Sequence, residues 1–236
     1  MPNMISLRID GELVRVEEGH TIFEAAEAAG KPIPGLCQMK GLSPVGACRL
    51  CAVELAGVNR LLPSCTTPAQ DGMSVTTQSP RLKSYRRMVV ELLLAARNHI
   101  CAVCVSNNHC ELQTLAQKLG VTHVRYAYRY RPFPVDTTHP RFVLDHNRCI
   151  LCTRCIRVCA EIEGAHVWDM MSRGVASRLV CELNKPWGQA TSCTSCGKCV
   201  QVCPTGALAE KGCAVEEMIK RGQTISRLAE TRGGAM

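Results

Sequence analysis

Seventeen of the 236 residues are cysteines, and most fall into groups whose spacing carries chemistry. The tightest group is Cys193, Cys196, Cys199 and Cys203, followed by Pro204, and Cys149, Cys152, Cys155 and Cys159 repeat its spacing. Three thiolates set two residues apart wrap a cubane iron–sulfur cluster, because each turn of the loop aims a sulfur at a different iron. The fourth thiolate points away and serves the neighbouring cluster. The spacing therefore predicts two [4Fe–4S] sites lying close together, held by Cys149, Cys152, Cys155 with Cys203, and by Cys193, Cys196, Cys199 with Cys159. Zinc also takes Cys-x-x-Cys pairs, but a structural zinc site needs two pairs rather than a triplet with a trailing fourth.

Two further groups precede these. Cys37, Cys48, Cys51 and Cys65 supply four thiolates around a loop containing Gly41, Gly46 and Ala47. Four sulfurs suit a [2Fe–2S] cluster, and small residues let backbone N–H groups approach them. Zinc remains the alternative by spacing. The other group, Cys101, Cys104 and Cys110, offers only three thiolates, with His99 and His109 as candidates for a fourth, nitrogen ligand. A histidine would remove one negative charge and raise the potential. The plainer reading of His99 is that it ends the preceding helix, where the dipole favours it. Cys181, after apolar Leu179 and Val180, reads as a small buried hydrophobe, and Cys213 as the start of a short helix.

Composition narrows the class. Hydrophobic residues make up 46% of the chain, which fits a folded protein. The stretch after Met1 alternates instead of forming a basic region and an apolar run, so no export signal is expected. The longest apolar run, residues 88–96, is broken by Glu91 and falls far short of the roughly 20 residues that span a bilayer. A cytoplasmic protein without a membrane span is expected, and there the thiols stay reduced and available for ligation. The formal charge of +8 raises the question of nucleic acid. Ligation lowers it: three all-thiolate oxidised clusters at roughly −2 each and one with a histidine at roughly −1 leave about +1.

The elements that must position these groups are partly legible. Ile5, Leu7 and Ile9 alternate with polar residues, Asp10-Gly11 is a hairpin turn signal, and Val14 and Val16 resume the alternation. Thr21 and Glu24 form a capping-box pattern for a helix carrying Ile22, Ala25, Ala26 and Ala29, which Gly30 and Pro32 end. This ββα start suits a small ferredoxin-like domain. A helix over 82–98 is expected to bury Tyr85, Met88, Val89, Leu92 and Ala96, and another runs over 111–119. Residues 121–140 interleave Tyr126, Tyr128 and Tyr130 with Arg125, Arg129 and Arg131 and then place three prolines, which predicts an extended connector lying across its own domain or a partner. A single-strand stacking platform is the lesser reading. The repeated cysteine run implies an internal duplication.

Arg148-Cys149-Ile150-Leu151-Cys152-Thr153-Arg154-Cys155-Ile156 and Cys110-Glu111-Leu112-Gln113 resemble signatures of the complex I 75 kDa subunit and of [FeFe] hydrogenase accessory domains. Over nearly the whole chain the sequence most resembles the diaphorase small subunit of soluble NAD-reducing [NiFe] hydrogenases. Ala102 and Val105 depart from the usual proline and acidic residue, and Val158 from an aromatic. The family histidine sits four residues before the first cysteine of its set, where this chain has Arg97; a shortened loop makes His99 preferred over His109.

The resemblance implies an α+β chain in three parts. These are an N-terminal β-grasp [2Fe–2S] ferredoxin-like domain (1–80), a small helical His/Cys3 [4Fe–4S] domain with the connector (81–140), and a C-terminal 2[4Fe–4S] ferredoxin-like domain (141–236). One [2Fe–2S] and three [4Fe–4S] clusters follow. The implied partners are an FMN-containing diaphorase large subunit with the NAD site and the small and large [NiFe] hydrogenase subunits. The residues agree in offering no Gly-rich dinucleotide fingerprint, so an electron-transfer subunit with no substrate site of its own is expected. The same module in a formate dehydrogenase or a bifurcating hydrogenase is the near alternative, and a zinc-stabilised nucleic-acid-binding protein the distant one.

Overall fold

A computed structural model describes residues 3–233, which divide into two compact units. The first comprises the described residues up to Gln38 together with Pro44–Val89; the second comprises Met39–Ser43 and the described residues from Val90 onward.

In the first unit, β1 (Met4–Ile9) and β2 (Glu12–Glu17) pair antiparallel from Met4↔Glu17 to Ile9↔Glu12. Asp10 and Gly11 turn between them with φ of 50° and 85°, the left-handed pair that a two-residue hairpin demands. Helix α1 (Ile22–Ala28) starts on the capping box: Glu24 N–H donates to Thr21 Oγ1 at 3.2 Å, and Thr21 N–H donates to Glu24 Oε2 at 2.8 Å. Strands β3 (Ala52–Leu55), β4 (Val58–Pro63) and β5 (Ser74–Thr76) complete a sheet in the order β2-β1-β5-β3-β4, with β1 and β5 parallel. Ile5, Leu7, Ile9, Val14 and Val16 bury against Ile22, Ala25 and Ala26 of the helix. This is a β-grasp core.

Helix α2 (Pro80–Ala95) opens on proline, whose missing N–H costs nothing in a first turn. It stops three residues before the sequence pattern suggested. The Arg97 guanidinium folds back onto Ala96 O at 2.8 Å and reaches Ser177 O at 2.5 Å, which takes residues 96–98 out of the helix. The buried face also differs from the expected stripe: Leu82, Arg86, Val90, Glu91 and Ala95 are buried, whereas Leu92 is exposed. Arg86 donates to Leu50 O and Ala52 O, and Glu91 accepts from Arg125 at 2.8 Å. Two charged residues therefore bury as hydrogen-bonded anchors, a role that apolar periodicity does not register.

The second unit carries α3 (Glu111–Lys118), then a connector without helix or strand that Arg125 and Arg129 tie to α2, Arg129 N–H donating to Ala95 O at 3.2 Å. Two half-repeats follow. Strand β6 (Phe142–Leu144) leads to the turn α4 (Arg154–Arg157), which runs on as a π-turn over Val158–Glu163. β7 (Trp168–Met171) and β8 (Arg178–Cys181) form a hairpin, and α5 (Lys198–Gln201) leads to β9 (Leu208–Glu210), which returns antiparallel beside β6. Helix α6 (Gly222–Gly233) closes the described chain. Cys181 is 3% exposed at the end of β8. Cys213 begins no helix; it lies in an irregular stretch with Sγ 3.9 Å from Met218 Sδ.

Candidate metal centres

The ladder between β3 and β4 pairs Ala52 with Pro63, so Cys51 and Cys65, just beyond its end, meet with their sulfurs 3.2 Å apart. The loop before β3 brings Cys48 to Cys37, where Cys48 N–H donates to Cys37 Sγ at 3.4 Å and Leu36 N–H donates to Cys48 Sγ at 3.4 Å. All four cysteines are buried. Thiol hydrogen bonds from Cys48 and Cys65 pull the Cys37 sulfur down to about 2, and one from Cys65 brings Cys51 to about 7. The same bonds push the thiols of Cys48 and Cys65 up. Four sulfurs this close share protons, and all can be thiolates together only around a cationic core. That donor set fits an iron–sulfur cluster.

The middle group gathers on one cavity in the second unit, lined by His99, Cys101, Cys104 and Cys110 together with Ser106, Arg148 and Gly206. The chain leaves α2 at Ala95 and makes a tight turn over Cys101–Val103, while Cys110 caps α3, so that the N–H groups of Leu112 and Gln113 face its sulfur. Two polar atoms in this lining, His99 Nε2 and Ser106 Oγ, are buried without a hydrogen-bond partner. Burial, and then the nearby Arg148 charge, hold His99 down at about 4, so its imidazole is neutral as a metal ligand must be. His109 is exposed and does not line the cavity. A Cβ at Gly206 would collide with Cys104 Sγ, so the backbone there has no room for a side chain. An orphaned imidazole beside three cysteines fits a cluster with one nitrogen ligand.

The two runs of the duplicated half fold alike. Leu151 and Thr153 in the first have φ of 56° and 61°; Ser195 and Gly197 in the second have 55° and 74°. The alternating left-handed residues curl each loop so that its three cysteines face inward. The fourth cysteine of each run lands on the other cavity: Cys149, Cys152 and Cys155 line one with Cys203, and Cys193, Cys196 and Cys199 line the other with Cys159. Burial pushes Cys149 up to about 11 and Cys152 up to about 12. Cys203 is pushed up by burial too, but the Lys220 ammonium and the N–H groups of Thr205 and Leu208 outweigh this and lower it. Arg154, 5% exposed, pairs with Glu111 at 2.6 Å and lies beside Cys152 and Cys203.

Ser106 and Gly206 line one of these cavities, and Lys220 stands beside Cys203, without having stood out in the sequence. Each lies far along the chain from the cysteines it faces or outside their spacing pattern, so no local signal marks it.

Residues 2–80 match the family described as 2Fe-2S iron-sulfur cluster binding domain, residues 86–125 the NADH-ubiquinone oxidoreductase-G iron-sulfur binding region, and residues 140–209 the NADH-quinone oxidoreductase subunit 3, ferredoxin-like domain. Binding domains for both cluster types are thus present. The chain is 39% identical over 208 residues to NADPH-Fe(3+) oxidoreductase subunit alpha of Geobacter sulfurreducens, covering 88% of this chain and 24% of that protein. It spans about a quarter of the length of the first curated relatives it matches. It is 30% identical to NAD-reducing hydrogenase HoxS subunit gamma of Cupriavidus necator, with 92% of each chain covered. A crystal structure of NAD+-reducing [NiFe]-hydrogenase in the H2-reduced state contains a chain that superposes with a TM-score of 0.83 at 36% identity, covering 89% of this chain and 88% of that one. Among the described residues no helix is long and apolar enough to cross a membrane.

Proposed function

We propose a function from the premise that the chain belongs to the family of NAD-reducing hydrogenase HoxS subunit gamma: it is the iron–sulfur electron-transfer subunit of an NAD-linked hydrogenase, working in the cytoplasm. Its partners are an FMN-containing diaphorase subunit that binds NAD(H) and a [NiFe] hydrogenase dimer, and the chain relays electrons between them. The observation that carries this reading is the match over 92% of both chains, which leaves no room in the relative for a substrate domain that this chain lacks.

Cys37, Cys48, Cys51 and Cys65 hold a [2Fe–2S] cluster. Three [4Fe–4S] clusters are held by His99 with Cys101, Cys104 and Cys110, by Cys149, Cys152, Cys155 with Cys203, and by Cys193, Cys196, Cys199 with Cys159. The chain divides accordingly into 1–80, 81–140 and 141–236. When bound, such clusters take up and release single electrons without bond-breaking chemistry. The protein's own part is to bind, orient and dry them. Backbone N–H groups such as Leu151 to Cys149 and Val167 to Cys159, both at 3.4 Å, favour the more negative state. Leu144, Ile150, Met170 and Leu179 keep water from one site, and Gly206 lets backbone approach another.

Two measurements test this. Anaerobically purified chain should contain about fourteen iron and fourteen acid-labile sulfide; about ten would mean that one cubane site is wrongly assigned. In the assembled complex, Cys149→Ser or Cys196→Ser should abolish hydrogen-driven NAD reduction while NADH-dependent dye reduction persists. Loss of both activities together would count against this chain as the bridge. The higher identity to NADPH-Fe(3+) oxidoreductase subunit alpha favours, as a second reading, the same module in another pyridine-nucleotide-linked complex. Nickel co-purifying with the chain decides between them.

A further inference from the structure

The chain has only two tryptophans, and both stand at one cavity, that of Cys159, Cys193, Cys196 and Cys199. Trp187, 1% exposed, donates its indole N–H to Cys193 Sγ at 3.4 Å. Trp168, also buried, lines the same cavity with its indole N–H toward Cys199. The two rings meet edge-on, with centroids 4.8 Å apart at 67°. Phe142 stacks on Trp187 at 5.5 Å and His139 packs against it at 4.6 Å, so the indole has little freedom to turn away.

His139 has a fixed tautomer. Its Nδ1 accepts from the N–H groups of Arg141 at 3.1 Å and Phe142 at 3.2 Å, which leaves its proton on Nε2. That N–H faces Ser195 Oγ at 3.1 Å and lies 4.0 Å from Cys193 Sγ. The loop that presents Cys193 and Cys196 is thereby anchored to the aromatic stack.

The sister cavity differs. There Leu144, Ile150, Met170 and Leu179 face Cys149, Cys152, Cys155 and Cys203, and none of these side chains carries an N–H. The duplicated backbone has kept its dihedrals, while one copy alone has acquired indole donors.

A hydrogen bond to a ligand sulfur is worth more when the cluster carries more negative charge, so it stabilises the reduced state over the oxidised one. We propose that Trp168 and Trp187 are positioning residues that set a potential: their indole N–H groups raise the reduction potential of the [4Fe–4S] cluster held by Cys159, Cys193, Cys196 and Cys199, and of no other cluster, lengthening the stay of an electron there. The inference rests on the cluster assignment above. The step it modulates adds one electron to that cluster from a neighbouring one, with no proton and no bond made or broken.

The test is an EPR-monitored redox titration of the full chain, purified anaerobically, with iron content and tryptophan fluorescence recorded on the same samples. Both indoles line the site of this one cluster, so fluorescence stays quenched while it is in place and reports its loading. Trp187→Phe keeps an aromatic ring in the stack and removes the N–H together with the pyrrole half of the indole. It should lower one [4Fe–4S] midpoint by the equivalent of a roughly tenfold change in the one-electron equilibrium, about 59 mV. Trp168→Phe should lower the same signal, and the remaining signals should not move. Unmoved midpoints in Trp187→Phe with full iron content would overturn the inference, as would a common shift of every signal, which would mean altered packing. A wild-type chain that lacks iron at this site, with bright tryptophan fluorescence, would instead overturn the cluster assignment and the inference with it.

Discussion

Thr153 and Gly197 occupy the same step of the two duplicated cysteine loops with the same left-handed backbone, φ 61° and 74°, yet only one of them is glycine. Their surroundings explain the difference. A Cβ at Gly197 would lie 3.1 Å from Phe142 Cζ, inside ordinary contact, whereas Thr153 has room and accepts from Arg157 Nε at 3.3 Å. Gly197→Ala should therefore destabilise the cluster-loaded chain by about 1–2 kcal/mol, from left-handed strain alone, and more if Phe142 must move. Thr153→Gly should change stability by less than about 1 kcal/mol, since relieved strain offsets added freedom of the unfolded chain. Anaerobic denaturant titrations of both variants check the pair, and equal losses would contradict the role given to Phe142.

His99→Ala should alter the EPR signal of the middle cluster or empty that site, whereas His109→Ala should leave it unchanged. His99→Cys should restore loading with a lower midpoint, because a fourth thiolate adds negative charge. The comparison separates the buried imidazole at the cavity from the exposed one outside it.

Ser106 is fully buried, and its hydroxyl faces the same cavity without a partner. An O–H aimed at a cluster sulfur favours the reduced state, so Ser106→Ala should lower the midpoint of the middle cluster and leave iron content intact. Should the midpoint stay in place while thermal stability rises, the hydroxyl is a buried polar cost with no redox role.

Lys220 places its ammonium on the carbonyls of Thr205 at 2.5 Å and Leu208 at 2.8 Å, beside Cys203. Its positive charge would stabilise extra electron density on the cluster proposed there. Lys220→Gln should lower the midpoint of the cluster proposed at Cys149, Cys152, Cys155 and Cys203, leaving the one beside the tryptophans in place. With the indole variants, this makes the two halves of the duplication separately adjustable in one titration.

Local signals in the sequence transmit well into this fold. The Asp10-Gly11 hairpin, the Thr21 and Glu24 box and the start of α3 all depend on neighbours within a few residues, and each forms where the pattern places it. Helix α2 is legible as a helix but not in which face it buries, because Arg86 and Glu91 go inside on hydrogen bonds to residues distant in sequence. The cysteine spacing is legible for the same local reason. What surrounds the sulfurs is not: Trp168 reaches Cys199 and Arg154 reaches Glu111 across long stretches of chain, and only the folded topology brings them together.

Of the four cysteines around the tryptophan-lined cavity, Cys196 is the exposed one. The iron it would hold is therefore the corner that dissolved oxygen and chelators reach first. Damage in air should begin there, stripping that single iron and leaving a three-iron remnant still gripped by Cys159, Cys193 and Cys199. The aromatic wall shields the far side of the site, so the lability of this chain outside an anaerobic chamber, and the shielding a docked partner could give it, both come down to one surface sulfur.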